Sequence, residues 1–495
     1  MHKINPDMAD SALKKKTTVS LFWSFLDKFG QQLINLLSSL VLMAVVAKTE
    51  FAIMGILAVF TAFSGLLIDS GFSRALLNRK DISSTEYNSV FYFNVTLSIL
   101  LYLLLFFAAP FLANIFNEPK IIPVSRILFL SFIFNGLGLI QQTLLIKKAD
   151  FRGLTKINIP SVLLSAIIAI IMAIAGYEIW ALVAQIVFYS FFRTAFLWIY
   201  SSWRPAMTFS LRMLKNSMEL SYKLLAGSLV SAIFNNIYPS IIAFFFPNSM
   251  NSVADYAQAN KYQDIPFAMI SNTFRSISML ILSEINQEIK RLKRVVSKLL
   301  KSIAFLSFPI GLYMILVAEA VFAFIWQEKW LSAVPYFRML TLAGIVSPFI
   351  FVLNELYIAR ERADFFLGLE IVKRIILVFL IWLLISKGIM GLAASWVIYT
   401  YITLIISLFL SDKLIRYSGI DFLRDALPYA LVALACCAVG YFATQWIESN
   451  LLFIVINFVI VGGCYLLLCR IFKLEMIKEI EDWFSSRKQK RNYAK

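Results

Sequence analysis

Apolar runs long enough to cross a lipid bilayer recur from Leu21 to Cys469. A spanning helix needs about 20 predominantly apolar residues. Of the 495 residues 60% are hydrophobic and only 15% are charged, well under the roughly 25% usual for soluble globular chains. A single soluble domain is excluded, and so is a soluble enzyme on a short anchor. The polar breaks delimit fourteen expected spans, at 17–46, 51–70, 87–111, 121–146, 157–176, 178–200, 218–246, 254–283, 299–319, 331–359, 365–386, 389–411, 425–446 and 450–470. The fold class expected is an all-α polytopic membrane protein.

The basic residues orient these spans. Alternate segments beginning with the N-terminus hold 33 Lys and Arg, whereas the intervening loops hold four, Lys48, Lys120, Lys329 and Lys387. By the positive-inside rule both termini are cytoplasmic and the number of spans is even. The net charge of +17 is therefore mostly a topology signal and an attraction to anionic lipid. It does not point to nucleic acid, because no soluble basic domain carries it. The stretch after Lys14, Lys15 and Lys16 is too long and lacks the cleavage site of a signal peptide. The tail has Ile477, Ile480 and Phe484 near helical spacing and a basic end; an interfacial helix and a solvated tail both fit it.

Several classes of chemistry are excluded. The only histidine is His2, which rules out histidine-based catalysis and metal binding. Cys436, Cys437, Cys464 and Cys469 all lie in late apolar runs without ligand spacing, so no metal or disulfide framework follows. No catalytic residue and no cofactor is expected, and the chain reads as a non-enzyme.

Nine cations remain within or beside the spans. At mid-bilayer a charge costs at least about 2.5–3.5 kcal/mol on insertion scales, so each needs water, a partner or an interface. On the first span Ser24, Lys28, Gln31, Asn35 and Ser38 share one helix face. Lys28 lies about 16 Å along that helix from Thr17. On the seventh, Lys223, Gly227, Ser231 and Asn235 form an i+4 row; on the eighth, Gln258, Lys261, Asp264, Ser271, Asn272 and Arg275 form a stripe. The eleventh holds Glu370, Lys373 and Arg374 within one turn, where an ion pair and a cavity lining are equally open readings. Arg126, Arg193, Arg338 and also Lys223 lie within two to three turns of helix ends, where snorkelling is an open reading.

These stripes suggest a hydrated cationic cavity. Lys28, Lys223, Lys261, Arg275, Lys373 and Arg374 suit an anionic diphosphate through charge-assisted hydrogen bonds. Gln31, Asn35, Asn235, Gln258 and Asn272 suit sugar hydroxyls, and Asp27, Asp264 and Glu370 are candidates for proton or sodium coupling. The repetition of a polar-striped helix near residues 17 and 217 suggests two six-helix lobes around a central cavity. The expected organisation is an N-terminal lobe (1–200), a cytoplasmic linker (201–217), a C-terminal lobe (218–411), two nearly apolar extra helices (412–472) and a basic cytoplasmic tail (473–495).

The stretches SLFWSFLDKFGQQ (20–32), GFSRALLNRKD (71–81) and ADYAQANKYQDIPFAMISNTFRSISMLILSEINQ (254–287), with Tyr256, Ala259 and Pro266, resemble the polysaccharide transporter family. These are Wzx-type flippases of the multidrug/oligosaccharidyl-lipid/polysaccharide exporter superfamily. The resemblance implies alternating-access transfer of a polyprenyl-diphosphate-linked oligosaccharide from the cytoplasmic to the outer leaflet of a bacterial inner membrane, with proton or sodium as coupling ion and a polysaccharide polymerase as candidate partner. One departure is visible. Where relatives often read Leu-Ala-Arg and Leu-Gly-Pro, this chain has Met43-Ala44-Val45 and Lys48-Thr49-Glu50, which removes a cation from that end of the first helix. Two alternatives stay open: a cation-coupled multidrug exporter of the same superfamily, which wants an acidic cavity, and a membrane glycan polymerase or ligase, which wants a catalytic external loop that the short loops here do not supply.

Overall fold

The computed structural model describes residues 6–69, 76, 82–285, 288–359, 363–479, 481 and 482. Of the 71–81 motif only Leu76 falls within them. The helices, in chain order, are α1 Pro6–Val45, α2 Lys48–Asp69, α3 Ser84–Phe116, α4 Ile121–Leu128, α5 Leu130–Lys147, α6 Phe151–Ile174, α7 Ile179–Tyr200, α8 Leu211–Asn236, α9 Tyr238–Phe245, α10 Met250–Glu284, α11 Ile289–Trp326, α12 Val334–Ala359, α13 Ala363–Leu384, α14 Gly388–Ile415, α15 Gly419–Thr444 and α16 Asn450–Ile471. No strand occurs among the described residues.

Helix occupies every expected span. Among the described residues ten stretches are long and apolar enough to cross a membrane, two of which, Ile289–Leu356 and Gly368–Ile415, run through consecutive helices; the bent pair 228–236 and 238–245 makes an eleventh. The bend is 46°. It falls beside Pro239, in the first turn of α9, where the missing N–H breaks the hydrogen-bond ladder. The helix α10 is long enough, but Asp255, Lys261, Asp264 and Arg275 lie along it, so composition alone does not mark it as apolar. Caps fix the helix starts between spans. Ser83 accepts the Glu86 N–H at 3.2 Å, Asp150 accepts the Gly153 N–H at 2.8 Å, and Ser418 with Asp421 closes a capping box.

The chain divides into two compact units, Met1–Ala254 and Asp255–Lys495. In the first, α6 packs against α1 and α7, α5 against α3 and α7, and α8 and α9 against α2. This unit therefore extends beyond residue 200, where the first six-helix lobe was expected to end. In the second, α11 packs against α12, α15 and α16, and α14 against α12 and α13. Small residues allow close helix approach, as is usual in membranes. Gly136 lies against Ser98, and Gly344 against Gln263 and Phe267.

The described part of the tail packs against the helices. Residues 475–479 are helical, and Ile477 is buried with Val432, Ala433, Cys436 and Tyr465 of α15 and α16. Lys301 of α11 reaches Glu475 at 2.6 Å and Lys298 reaches Glu479 at 2.7 Å. The sequence reading weighed the tail's apolar and basic residues and passed over its carboxylates, which draw it back onto α11. Ile480 and Phe484 lie outside the described residues. The extra helices also carry buried polar bonds, from Asn457 Nδ2 to Thr444 Oγ1 at 2.5 Å and from Thr444 Oγ1 to the Gly440 carbonyl at 2.7 Å.

Candidate functional site

In the first unit a ladder of polar side chains joins α1 to α6 and α7. Asn158 donates to both Asp27 oxygens at 3.2 and 3.1 Å, and the Arg193 Nε donates to Asn158 Oδ1 at 3.1 Å. Further along, Tyr189 OH donates to Gln31 Oε1 at 3.0 Å, and Gln185 Nε2 donates to Ser38 Oγ at 2.6 Å. The rungs on α7 are Gln185, Tyr189 and Arg193, spaced four residues apart and hence on one face. From Asp27 to Ser38 the ladder covers about 16 Å of helix. Beyond Asp27, toward the N-terminus of α1, Thr155 Oγ1 donates to the Trp23 carbonyl at 3.1 Å, and the Arg152 guanidinium lies 5.6 Å from the Trp23 ring centroid.

The expected stripe on α1 is thus divided. Asp27, Gln31 and Ser38 bond to neighbouring helices, while Lys28 and Asn35 are exposed. Arg193, read as snorkelling, instead holds Asn158 against Asp27. The spacing of Gln185, Tyr189 and Arg193 was the available signal, and one that the sequence reading passed over. Asn158 carries no such pattern. On α8, Asn235 is exposed; the side chain of Lys223 lies outside the described residues.

The second unit carries a charged cluster. Arg275 Nε of α10 meets Glu355 Oε1 of α12 at 2.8 Å, with Glu355 buried. The next residue back, Asn354, accepts from Lys373 Nζ at 3.5 Å. Lys373 also meets Glu370 at 3.1 Å, and Arg374 meets the other Glu370 oxygen at 3.3 Å. The Arg374 guanidinium lies 5.8 Å from the Tyr399 ring centroid on α14. All three members of the 370–374 turn are buried, Lys373 to 1% exposure. The turn is an ion triad, so of the two readings left open by the sequence it takes the paired one. Glu355, inside an apolar run, was missed; Asp255, also buried, was too. Counting both removes most of the cation excess read from the sequence. On α10, Lys261, Asp264 and Asn272 are exposed and Gln258 is buried; the Lys261 ammonium lies 5.6 Å from the Tyr262 ring centroid. Among the described residues no group of His, Cys, Asp and Glu is arranged to hold a metal.

Packing alone does not account for these groups. Interhelical hydrogen bonds in membranes average about 0.6 kcal/mol, so the three rungs return about 2 kcal/mol. At the bilayer centre a charge such as that of Asp27 or Arg193 costs about 2.5–3.5 kcal/mol, and less toward the interface. Leucines would hold the helices at lower cost.

A family model described as "Polysaccharide biosynthesis protein" matches residues 41–335, more than half of the chain. The chain belongs to this family. Among curated relatives it is 27% identical to the teichuronic acid biosynthesis protein TuaB of Bacillus subtilis, over 61% of this chain and 63% of that protein. It therefore spans less than two thirds of that relative. It is 21% identical to the lipopolysaccharide biosynthesis protein WzxC of Escherichia coli, over 81% of this chain and 82% of that one. Among solved structures, the lipid II flippase MurJ in an inward closed conformation matches with a TM-score of 0.76 and 16% identity, covering 92% of this chain and all of that one. This member of the polysaccharide biosynthesis family thus has the all-helical fold of a membrane transporter. The matched region includes the α6 and α7 members of the ladder, Asn158, Gln185, Tyr189 and Arg193, and all of α10, while the α1 members Asp27, Gln31 and Ser38, together with Lys28, precede it.

Proposed function

We propose that this protein is a flippase that moves a polyprenyl-diphosphate-linked oligosaccharide from the cytoplasmic to the outer leaflet of a bacterial inner membrane, with both termini cytoplasmic. The observation that carries the reading is the exposed cation on each of two polar-faced helices, Lys28 on α1 and Lys261 on α10, in a chain of the polysaccharide biosynthesis family. An ammonium group binds a diphosphate by charge-assisted hydrogen bonds. Exposed Asn35 and Asn272 suit sugar hydroxyls. Arg275, Lys373 and Arg374 engage carboxylates and are further candidate ligands in this reading. Alternating access is the expected mode, and a polysaccharide polymerase is the candidate receiver of the flipped glycan.

Asp27 is the proposed coupling carboxylate. Both its oxygens accept from Asn158, a neutral donor that stays compatible with a protonated or sodium-bound acid. In a strain lacking the gene, the wild type should restore surface polysaccharide while Lys28→Gln and Lys261→Gln leave lipid-linked glycan on the cytoplasmic leaflet, with normal amounts of inserted protein. Full export by both variants would defeat the reading. A multidrug exporter is the second reading, favoured by the buried carboxylates Glu355 and Asp255. It predicts resistance to cationic dyes on overexpression.

A further inference from the structure

The segment between α7 and α8 is not a loose tether. Trp198 near the end of α7 packs its ring 6.2 Å from Phe91 of α3, and Trp203 packs 5.7 Å from the same ring. Arg204 Nη1 donates to the carbonyls of Ser201 and Trp203, and its Nη2 to that of Trp198 at 2.8 Å, closing the end of α7. Three residues then bond alternately to α3. The Ala206 N–H donates to Asn88 Oδ1 at 3.2 Å, Asn88 Nδ2 donates to Thr208 Oγ1 at 2.7 Å, and the Ser210 N–H donates to Ser89 Oγ at 2.8 Å.

Large apolar side chains sit between these bonded positions. Met207 is 99% exposed, Phe209 53% and Leu211 73%, with Ile199 at 78% near the end of α7. The backbone N–H groups of Ala206 and Ser210 and the Thr208 hydroxyl hold the segment on α3, while three large apolar side chains in five residues stay outside, a cluster that water selects against. The segment follows directly on α7, whose candidate membrane span ends at Tyr200, so it leaves the bilayer where acyl chains give way to water. Arg212, exposed on the first turn of α8, adds positive charge on the side that the charge bias assigns to the cytoplasm.

We propose that Met207, Phe209 and Leu211 insert into the boundary between headgroups and acyl chains, and that Arg212 binds the phosphates of anionic phospholipid there. The occupant is lipid because the outward side chains are apolar, flanked by a cation and tied to a membrane helix end, the combination found in interfacial anchors. The segment is then a fixed membrane anchor of the first unit. This inference is independent of the transport reading.

The test uses the full chain in liposomes, with Met207→Cys carrying an environment-sensitive fluorophore and the unsubstituted chain as labelling background. Lys148→Cys, exposed on the same side, is the water-facing reference. Nitroxides attached high on the acyl chain should quench the label at 207 several-fold more than nitroxides at the chain end, and iodide should quench it several-fold less than the reference. Arg212→Glu should weaken the lipid quenching in phosphatidylglycerol vesicles and leave it unchanged in phosphatidylcholine. Iodide quenching equal to the reference would place the segment in water and overturn the proposal. Shielding from every quencher would put protein over the patch and overturn it as well, and an Arg212→Glu effect that is equal in both lipids would remove the anionic headgroup from it.

Discussion

The polar ladder of α1, α6 and α7 and the charged cluster of α10, α12 and α13 solve the same problem differently. Both keep ionisable groups inside apolar helices. The ladder joins one carboxylate and one guanidinium through a neutral amide and adds two uncharged rungs. The cluster sets cations directly against carboxylates and buries Glu370, Lys373 and Arg374. A buried direct pair fails badly when one partner is lost, since the remaining charge stays desolvated. A ladder of neutral rungs loses little per rung. The first arrangement can therefore rearrange, and the second behaves as a fixed strut.

The sharpest way to break this contrast is Glu370→Ala, which strands Lys373 and Arg374. We expect a loss of about 3–5 kcal/mol, read as poor yield or a strongly lowered melting temperature of the purified protein. A melting temperature equal to wild type would show that the triad is not a strut. Glu355→Gln comes next. Its partner Arg275 is 47% exposed, so water compensates part of the loss, and we expect about 1–2 kcal/mol. A drop as large as that of Glu370→Ala would erase the distinction between the two pairs. Tyr189→Phe removes one rung and should cost about 0.6 kcal/mol, with Asp27→Asn similarly mild in stability but inactive in glycan export. Export by Asp27→Asn at the wild-type level would remove the coupling role from the ladder. The smallest effect is expected at the tail, where Glu479→Gln releases the partly exposed Lys298 and should cost about 0.2–1 kcal/mol, less at high salt. A larger, salt-independent cost would mean that the tail helix is integral to the bundle.

Particular residues mark how far the site was legible. Lys28, Lys261, Glu370 and Arg275 stood out because a charge within an apolar run is conspicuous on its own. Gln185 and Tyr189 are uncharged, and only their four-residue spacing with Arg193 carried the information. Glu355 was hidden because its cation lies 80 residues away on another helix. Asn158 becomes meaningful only once Asp27 and Arg193 lie on either side of its amide.

What the amino-acid order determined by itself was the material of the fold: helices, their approximate ends and the distribution of basic residues about them. These follow from local quantities, since a bilayer demands internally bonded backbone over a fixed apolar length and the positive-inside rule acts loop by loop. Tertiary structure alone decided which charges are engaged and which remain exposed. A side chain's state depends on what packs across from it, and in this chain the decisive neighbours, Asn158 for Asp27, Glu355 for Arg275 and Glu475 for Lys301, lie 131, 80 and 174 residues distant.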